Sequence, residues 1–193
     1  MLFNFSFGTN NRMSETSFPQ VIEKEAIYRG RVFDVTIETI REGERTYKRE
    51  VVNHNGSAVI VPVFDDNTIA LVRQYRHPAR KYLYEVVAGT LNKDEDPIAG
   101  AARELEEELG HVAERIEKLC EFYISPGFLS EKMFVYLATG LRETKQNLEE
   151  DEVIEISRVS FADALTMIER GEIEDAKTIT GILLAMKKLK IEN

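Results

Sequence analysis

The chain has 193 residues, 43% hydrophobic and 31% charged, a composition that excludes a disordered or fibrous polymer and suffices for one sizeable core. Its formal net charge of −9 argues against binding along a nucleic-acid backbone, which needs a clustered basic surface, and no apolar run approaches the roughly 18 residues of a membrane-spanning helix. Cys120 is the single cysteine, so neither an intramolecular disulfide nor a thiolate metal cluster can be assembled, and a reducing, cytoplasmic setting is expected.

Residues 1–18 read as a loose leader. The apolar stretch 2–7 lacks the basic flank and small-residue cleavage site of a signal peptide, and Met13 is a candidate natural start. Across residues 27–52, apolar and β-branched residues alternate around the turn-like Arg41-Glu42-Gly43-Glu44, which predicts an antiparallel hairpin. A second hairpin is expected from strands 58–64 and 68–74, joined by the turn formers Asp65-Asp66-Asn67. Residues 82–87 suggest another strand. At Asp96-Pro97 the period changes: an N-cap and a proline at the first helical position precede Ile98, Ala101, Ala102, Leu105 and Leu109 at helical spacing, with Gly110 as the stop. Strands are expected again at 116–125, 132–138 and 153–159. Ser160-Phe161-Ala162-Asp163 resembles a capping box opening a helix to about residue 170, and a last helix fits 175–190. Strands around one central helix, with two helices at the end, predict an α/β/α sandwich on a mixed sheet. Residues 19–56 would form an N-terminal hairpin region and 57–193 the main domain.

The central helix carries the chemistry. At roughly 100° per residue, Glu104, Glu107 and Glu108 fall within about 100° of one another, while Glu106 points away. Like charges four residues apart cost a helix about 0.2–0.5 kcal/mol per pair. Such a face is either a solvated surface or a site for a hard cation such as Mg²⁺ or Mn²⁺. For an anionic substrate, Arg73, Arg76, His77, Arg80 and Lys81 form a small basic cluster in an otherwise acidic chain.

Spacing decides between the two. Gly89, five residues, Glu95, seven residues, then Arg103-Glu104-Leu105-Glu106-Glu107-Glu108-Leu109-Gly110 resembles the complete Nudix box, with His111 where an aliphatic residue is usual. The resemblance implies a metal-dependent pyrophosphatase acting on a nucleoside diphosphate linked to another group. Glu104, Glu107 and Glu108 would hold Mg²⁺ or Mn²⁺ with the Ala88 carbonyl, and Arg103 would orient the glutamates. Gly89 would permit a close backbone approach, and Glu95 would brace the loop rather than bind metal.

Flanking segments are similar to the ADP-ribose pyrophosphatase branch. Ser125-Pro126-Gly127-Phe128-Leu129-Ser130-Glu131 resembles its proline-bearing segment, which implies substrate roles for Pro126, Gly127 and Glu131, although Pro-Gly would make a turn in any case. Arg73-Gln74-Tyr75-Arg76 before Pro78 implies that Arg76 contacts the diphosphate through its guanidinium fork. Arg49 and Glu50 resemble an Arg-Glu pair placed near the adenine across a homodimer interface. On the acidic loop Asn147-Leu148-Glu149-Glu150-Asp151-Glu152, Glu152 is the candidate water-activating carboxylate and Glu150 the second choice. Val87 where proline is usual, and Thr90 where lysine or an aliphatic residue is usual, leave a GDP-mannose or other nucleotide-sugar hydrolase as a rival. A reading from another class is a non-catalytic ligand sensor, from which intact box glutamates are typically missing.

Overall fold

The computed structural model describes residues 18–148 and 152–191. Its N-terminal part is an antiparallel three-stranded sheet in the order β1 (Gln20–Arg29), β2 (Asp34–Glu42), β3 (Arg45–Asn53). The expected hairpin is β2–β3, closed where Gly43 takes φ 60° between Glu42 and Arg45, which face each other in the register. β1 extends this sheet by a strand that begins before the alternation becomes readable. All ten of its residues are exposed, so no burial contrast marks it in the sequence.

The second predicted hairpin needs correction. β4 (Ser57–Pro62) and β5 (Thr68–Arg76) are joined by the expected turn, in which Asn67 N–H donates to the Phe64 carbonyl and Thr68 N–H to the Asp66 carboxylate. They then part into different sheets, leaving a single bridge at Val63 and Ile69. The cause is visible in β4 itself. All six of its residues are buried, so both faces need cover and the strand must be central. It lies between β7 (Val87–Thr90), to which it is antiparallel, and β9 (Lys132–Glu143), to which it is parallel, with β8 (His111–Tyr123) outermost. β5 instead sits between β10 (Glu155–Ser160) and β6 (Lys81–Glu85).

Helices cover both sides of these strands. α1 (Pro97–Leu109) packs Ala101, Leu105 and Leu109 against Ala58, Ile60 and Tyr136. On the other side α2 (Phe161–Glu169) and α3 (Ala176–Leu189) pack Phe161, Ala164, Ile182 and Ala185 against Val59, Val61, Val135 and Leu137. This is the expected α/β/α sandwich on a mixed sheet. Caps fall where the residue types demand: Asp96, Ser160 and Asp175 accept backbone N–H groups at the three N-termini, and Gly110 takes φ 67° at the end of α1. The apolar stripe of α1 is narrower than its sequence suggests, since Ile98 and Ala102 are exposed. His111 fulfils the packing task of the aliphatic residue it replaces. Its ring meets Phe64 edge-on at 5.5 Å, with Nδ1 2.9 Å from the Leu109 carbonyl oxygen. Among the described residues no helix is long and apolar enough to cross a membrane.

Candidate active site

α1 turns Glu104, Glu107 and Glu108 toward a cavity of about 810 Å³ and leaves Glu106 exposed. Two of these carboxylates are out of water, Glu104 at 8% exposure and Glu108 at 3%. Burial chiefly, then the charges of Glu104 and Glu152, pushes the Glu108 carboxyl up to about 8, even though the Ala88 backbone hydrogen-bonds to it. Burial likewise raises Glu104. Buried like charges of this kind oppose folding unless a cation or protons neutralise them.

Arg103 supplies part of that neutralisation. Its Nη1 donates to Glu104 Oε1 at 2.6 Å and to Glu107 Oε2 at 2.8 Å, while Nε and Nη2 reach Glu95 at 3.0 and 3.2 Å. Glu95 also accepts the Asn92 N–H at 2.8 Å, so it braces the loop entering the helix. Gly89 leaves room for the Glu104 carboxylate: a Cβ there would lie 1.9 Å from Glu104 Oε1, and that carboxylate would have to move. The sequence at this turn therefore fixes how closely the strand end β7 can approach the acidic face.

The donor set suits a hard divalent cation. Glu108 Oε2 is buried and has no hydrogen-bond partner, a costly state that an added positive ligand would relieve. Among the described residues no three acidic, histidine or cysteine side chains already close around one point. The fit is one of chemistry and burial, with Arg103 bridging Glu104 and Glu107.

The same cavity gathers several further residues singled out in the sequence. Ala88, Arg76, Glu131 and Glu152 line it. Arg76 is held by Glu85, Nε to Oε1 at 2.6 Å and Nη2 to Oε2 at 2.7 Å. Glu131 accepts the Ser57 hydroxyl at 2.7 Å. Arg49 and Glu50 do not line it: both are exposed on β3, where the Arg49 guanidinium stacks 4.4 Å from the Tyr47 ring centroid. Pro126 and Gly127 are also exposed and outside the lining, in a turn where Phe128 N–H donates to the Ser125 carbonyl. That turn fastens the N-terminal sheet to the rest of the chain, since Val52 exchanges hydrogen bonds with Phe128 and Ser130. Glu150 lies outside the described residues.

Glu85 and Lys177 went unread in the sequence, yet Glu85 is 1% and Lys177 7% exposed, and they are ion-paired to each other. The available signal was a broken pattern: a carboxylate within the apolar run Tyr82-Leu83-Tyr84-Glu85-Val86-Val87, and a lysine in the first turn of a helix.

Comparison with known proteins agrees with this geometry. Residues 54–181 match the NUDIX domain family. The chain is 40% identical over 166 residues to the ADP-ribose pyrophosphatase of Bacillus subtilis (strain 168), covering 84% of this chain and 90% of that protein. It is 37% identical over 166 residues, with the same two coverages, to the methanol dehydrogenase activator of Bacillus methanolicus. The crystal structure of an ADP compounds hydrolase superposes with a TM-score of 0.78 at 24% identity, covering 92% of this chain and 97% of that one. With its box residues gathered on α1 and at the turn before it, and with relatives matched over most of their length, the chain belongs to the Nudix hydrolase family.

Proposed function

We propose that this hydrolase cleaves the diphosphate of ADP-ribose, water adding to one phosphorus while the bridging P–O bond breaks, to release AMP and ribose phosphate. The observation that carries the reading is the buried, unpartnered oxygen of Glu108 beside Ala88. Glu104, Glu107 and Glu108 would hold Mg²⁺ or Mn²⁺ with the Ala88 carbonyl, and a bound cation supplies charge that clamps the diphosphate and acidifies the attacking water. Arg76 would present its guanidinium to the phosphates, and Glu131 would accept sugar hydroxyls. Glu152 takes the proton of the attacking water, Glu150 being the second candidate. The substrate assignment draws support from the naming of the Bacillus subtilis relative.

Residues 57–193 would form the hydrolase domain and residues 19–56 a dimerisation element, through which Arg49 and Glu50 reach the adenine of the partner's site. Exposed apolar residues along β1, including Val21, Ile27 and Tyr28, suit such a role. The lone cysteine fits a reducing, cytoplasmic compartment.

The test is hydrolysis of ADP-ribose, GDP-mannose and NADH with Mg²⁺, Mn²⁺ or EDTA, products identified by mass. AMP and ribose phosphate formed only with metal are expected. Preferential cleavage of GDP-mannose would transfer the assignment to the guanosine sugars.

A further inference from the structure

Lys177 breaks a local rule. It stands in the first turn of α3, two residues after the Asp175 N-cap, where the helix dipole disfavours a cation. It is also buried, and burying an ammonium is costly unless paired. Its Nζ donates to Glu85 Oε2 and lies 3.0 Å from Asp175 Oδ1. Glu85 in turn takes both Nε and Nη2 of Arg76. Burial would raise the Glu85 carboxyl, but the Arg76 hydrogen bonds and the Lys177 charge outweigh it and hold the group below the ordinary carboxylate range. One edge of the Arg76 guanidinium is thus fixed from behind, and both Arg76 and Lys177 border the cavity.

We propose that Lys177 is a positioning residue for diphosphate recognition: through Glu85 it locks the plane of Arg76, so that the remaining N–H groups face the phosphates before substrate arrives. This rests on the diphosphate contact proposed for Arg76. With Lys177 removed, Glu85 keeps Arg76 as its partner but loses the anchor that holds its Oε2, so the joined carboxylate and guanidinium can turn together and must be ordered on binding. Ordering one long side chain corresponds to an affinity loss of about 2- to 10-fold.

The experiment is calorimetric binding, in Mg²⁺, of the non-hydrolysable methylene-bridged analogue of ADP-ribose, and separately of inorganic pyrophosphate, with steady-state kinetics on ADP-ribose alongside. Lys177→Met is expected to raise Kd and KM by about 2- to 10-fold with a smaller change in kcat, and Lys177→Arg to recover most of the loss. In an Arg76→Ala background the Lys177→Met substitution is expected to change Kd by less than about twofold, the non-additivity of groups acting in series. Ile182→Val thins the buried core beneath α3 and controls for stability, lowering Tm without moving Kd. If Lys177→Met does not fold, Lys177→Gln, which keeps a donor for Glu85, is expected to give the same coupling with a smaller loss. An unchanged Kd, or an equal loss with Arg76 absent, overturns the proposal. Pyrophosphate binding with the expected coupling but no binding of the analogue overturns the substrate reading and upholds this one, while binding of neither overturns both.

Discussion

At the scale of single residues the site is defined by fit and charge. A methyl group at Gly89 would occupy the space of the Glu104 carboxylate, so Gly89→Ala must displace a proposed metal ligand. A shift of about 1 Å can cost 10²-fold in rate, and kcat is expected to fall by that order with little change in Tm. Glu108→Gln is expected to lower kcat far more than KM, because its charge would act mainly on the transition state. Glu106→Gln, on the exposed side of the same turn, is expected to leave both near normal. In metal-free protein the Glu108 carboxyl is raised from 4.5 to about 8, so the folded state keeps a proton that the unfolded chain has lost. Its stabilising contribution is therefore full below about pH 4.5 and is lost as pH rises toward 8. Thermal melts in EDTA are expected to show a lower Tm at pH 8 than at about pH 5, with Mg²⁺ restoring more at the higher pH. The residues of the box were legible because their chemistry is tied to fixed spacing along one helix. The place of Arg76 in the cavity was legible from its segment, but Glu85, which holds it, and Lys177, which pairs with Glu85, lie 92 residues apart, and no local period connects them.

At the scale of elements, α1 was readable to the residue, since Asp96, Pro97 and Gly110 mark its ends by backbone chemistry alone. The same end is also built tightly. A Cβ on Gly110 would lie 2.9 Å from the Gln146 nitrogen, and Gln146 and Asn147 donate to the carbonyls of Glu108 and Glu107. The root of the acidic loop is thus pinned to the helix that carries the acidic face. Gly110→Ala combines a left-handed backbone with that contact and is expected to cost at least about 1–2 kcal/mol, which for a chain of this size is a Tm decrease of about 2–8 °C, read by calorimetry. Strand pairing was harder to read. The turn Asp65-Asp66-Asn67 is real, yet β4 and β5 separate after it, because turn residues specify a reversal of direction and say nothing of which strand will lie alongside. The continuous burial of β4 was the better guide, and a uniformly apolar strand should be read as central with distant partners.

At the scale of the whole molecule the N-terminal sheet projects an exposed strand, with Ile27 and Tyr28 each 53% exposed. Sedimentation is expected to give twice the 22.1 kDa chain mass. The double substitution Ile27→Lys and Tyr28→Glu is expected to yield monomers with a raised KM for ADP-ribose, and Arg49→Ala to raise KM in the dimer. Arg49 and Glu50 lie outside the cavity of their own chain, and a single sequence cannot show which copy a side chain serves. The mixed sheet also bears on how the protein is made. β4 pairs with β9 in parallel, Ser57 opposite Met133, so it emerges from the ribosome long before its neighbour exists. During that interval Ser57-Ala58-Val59-Ile60-Val61-Pro62 is an almost wholly apolar strand whose β9 edge stays open even after β7 has emerged to pair with the other, the kind of segment through which nascent chains associate. Non-local pairing of this sort also slows refolding. A chain arrested before Lys132 should therefore stay bound to chaperones or aggregate, whereas release shortly after Glu143 should let the central sheet close.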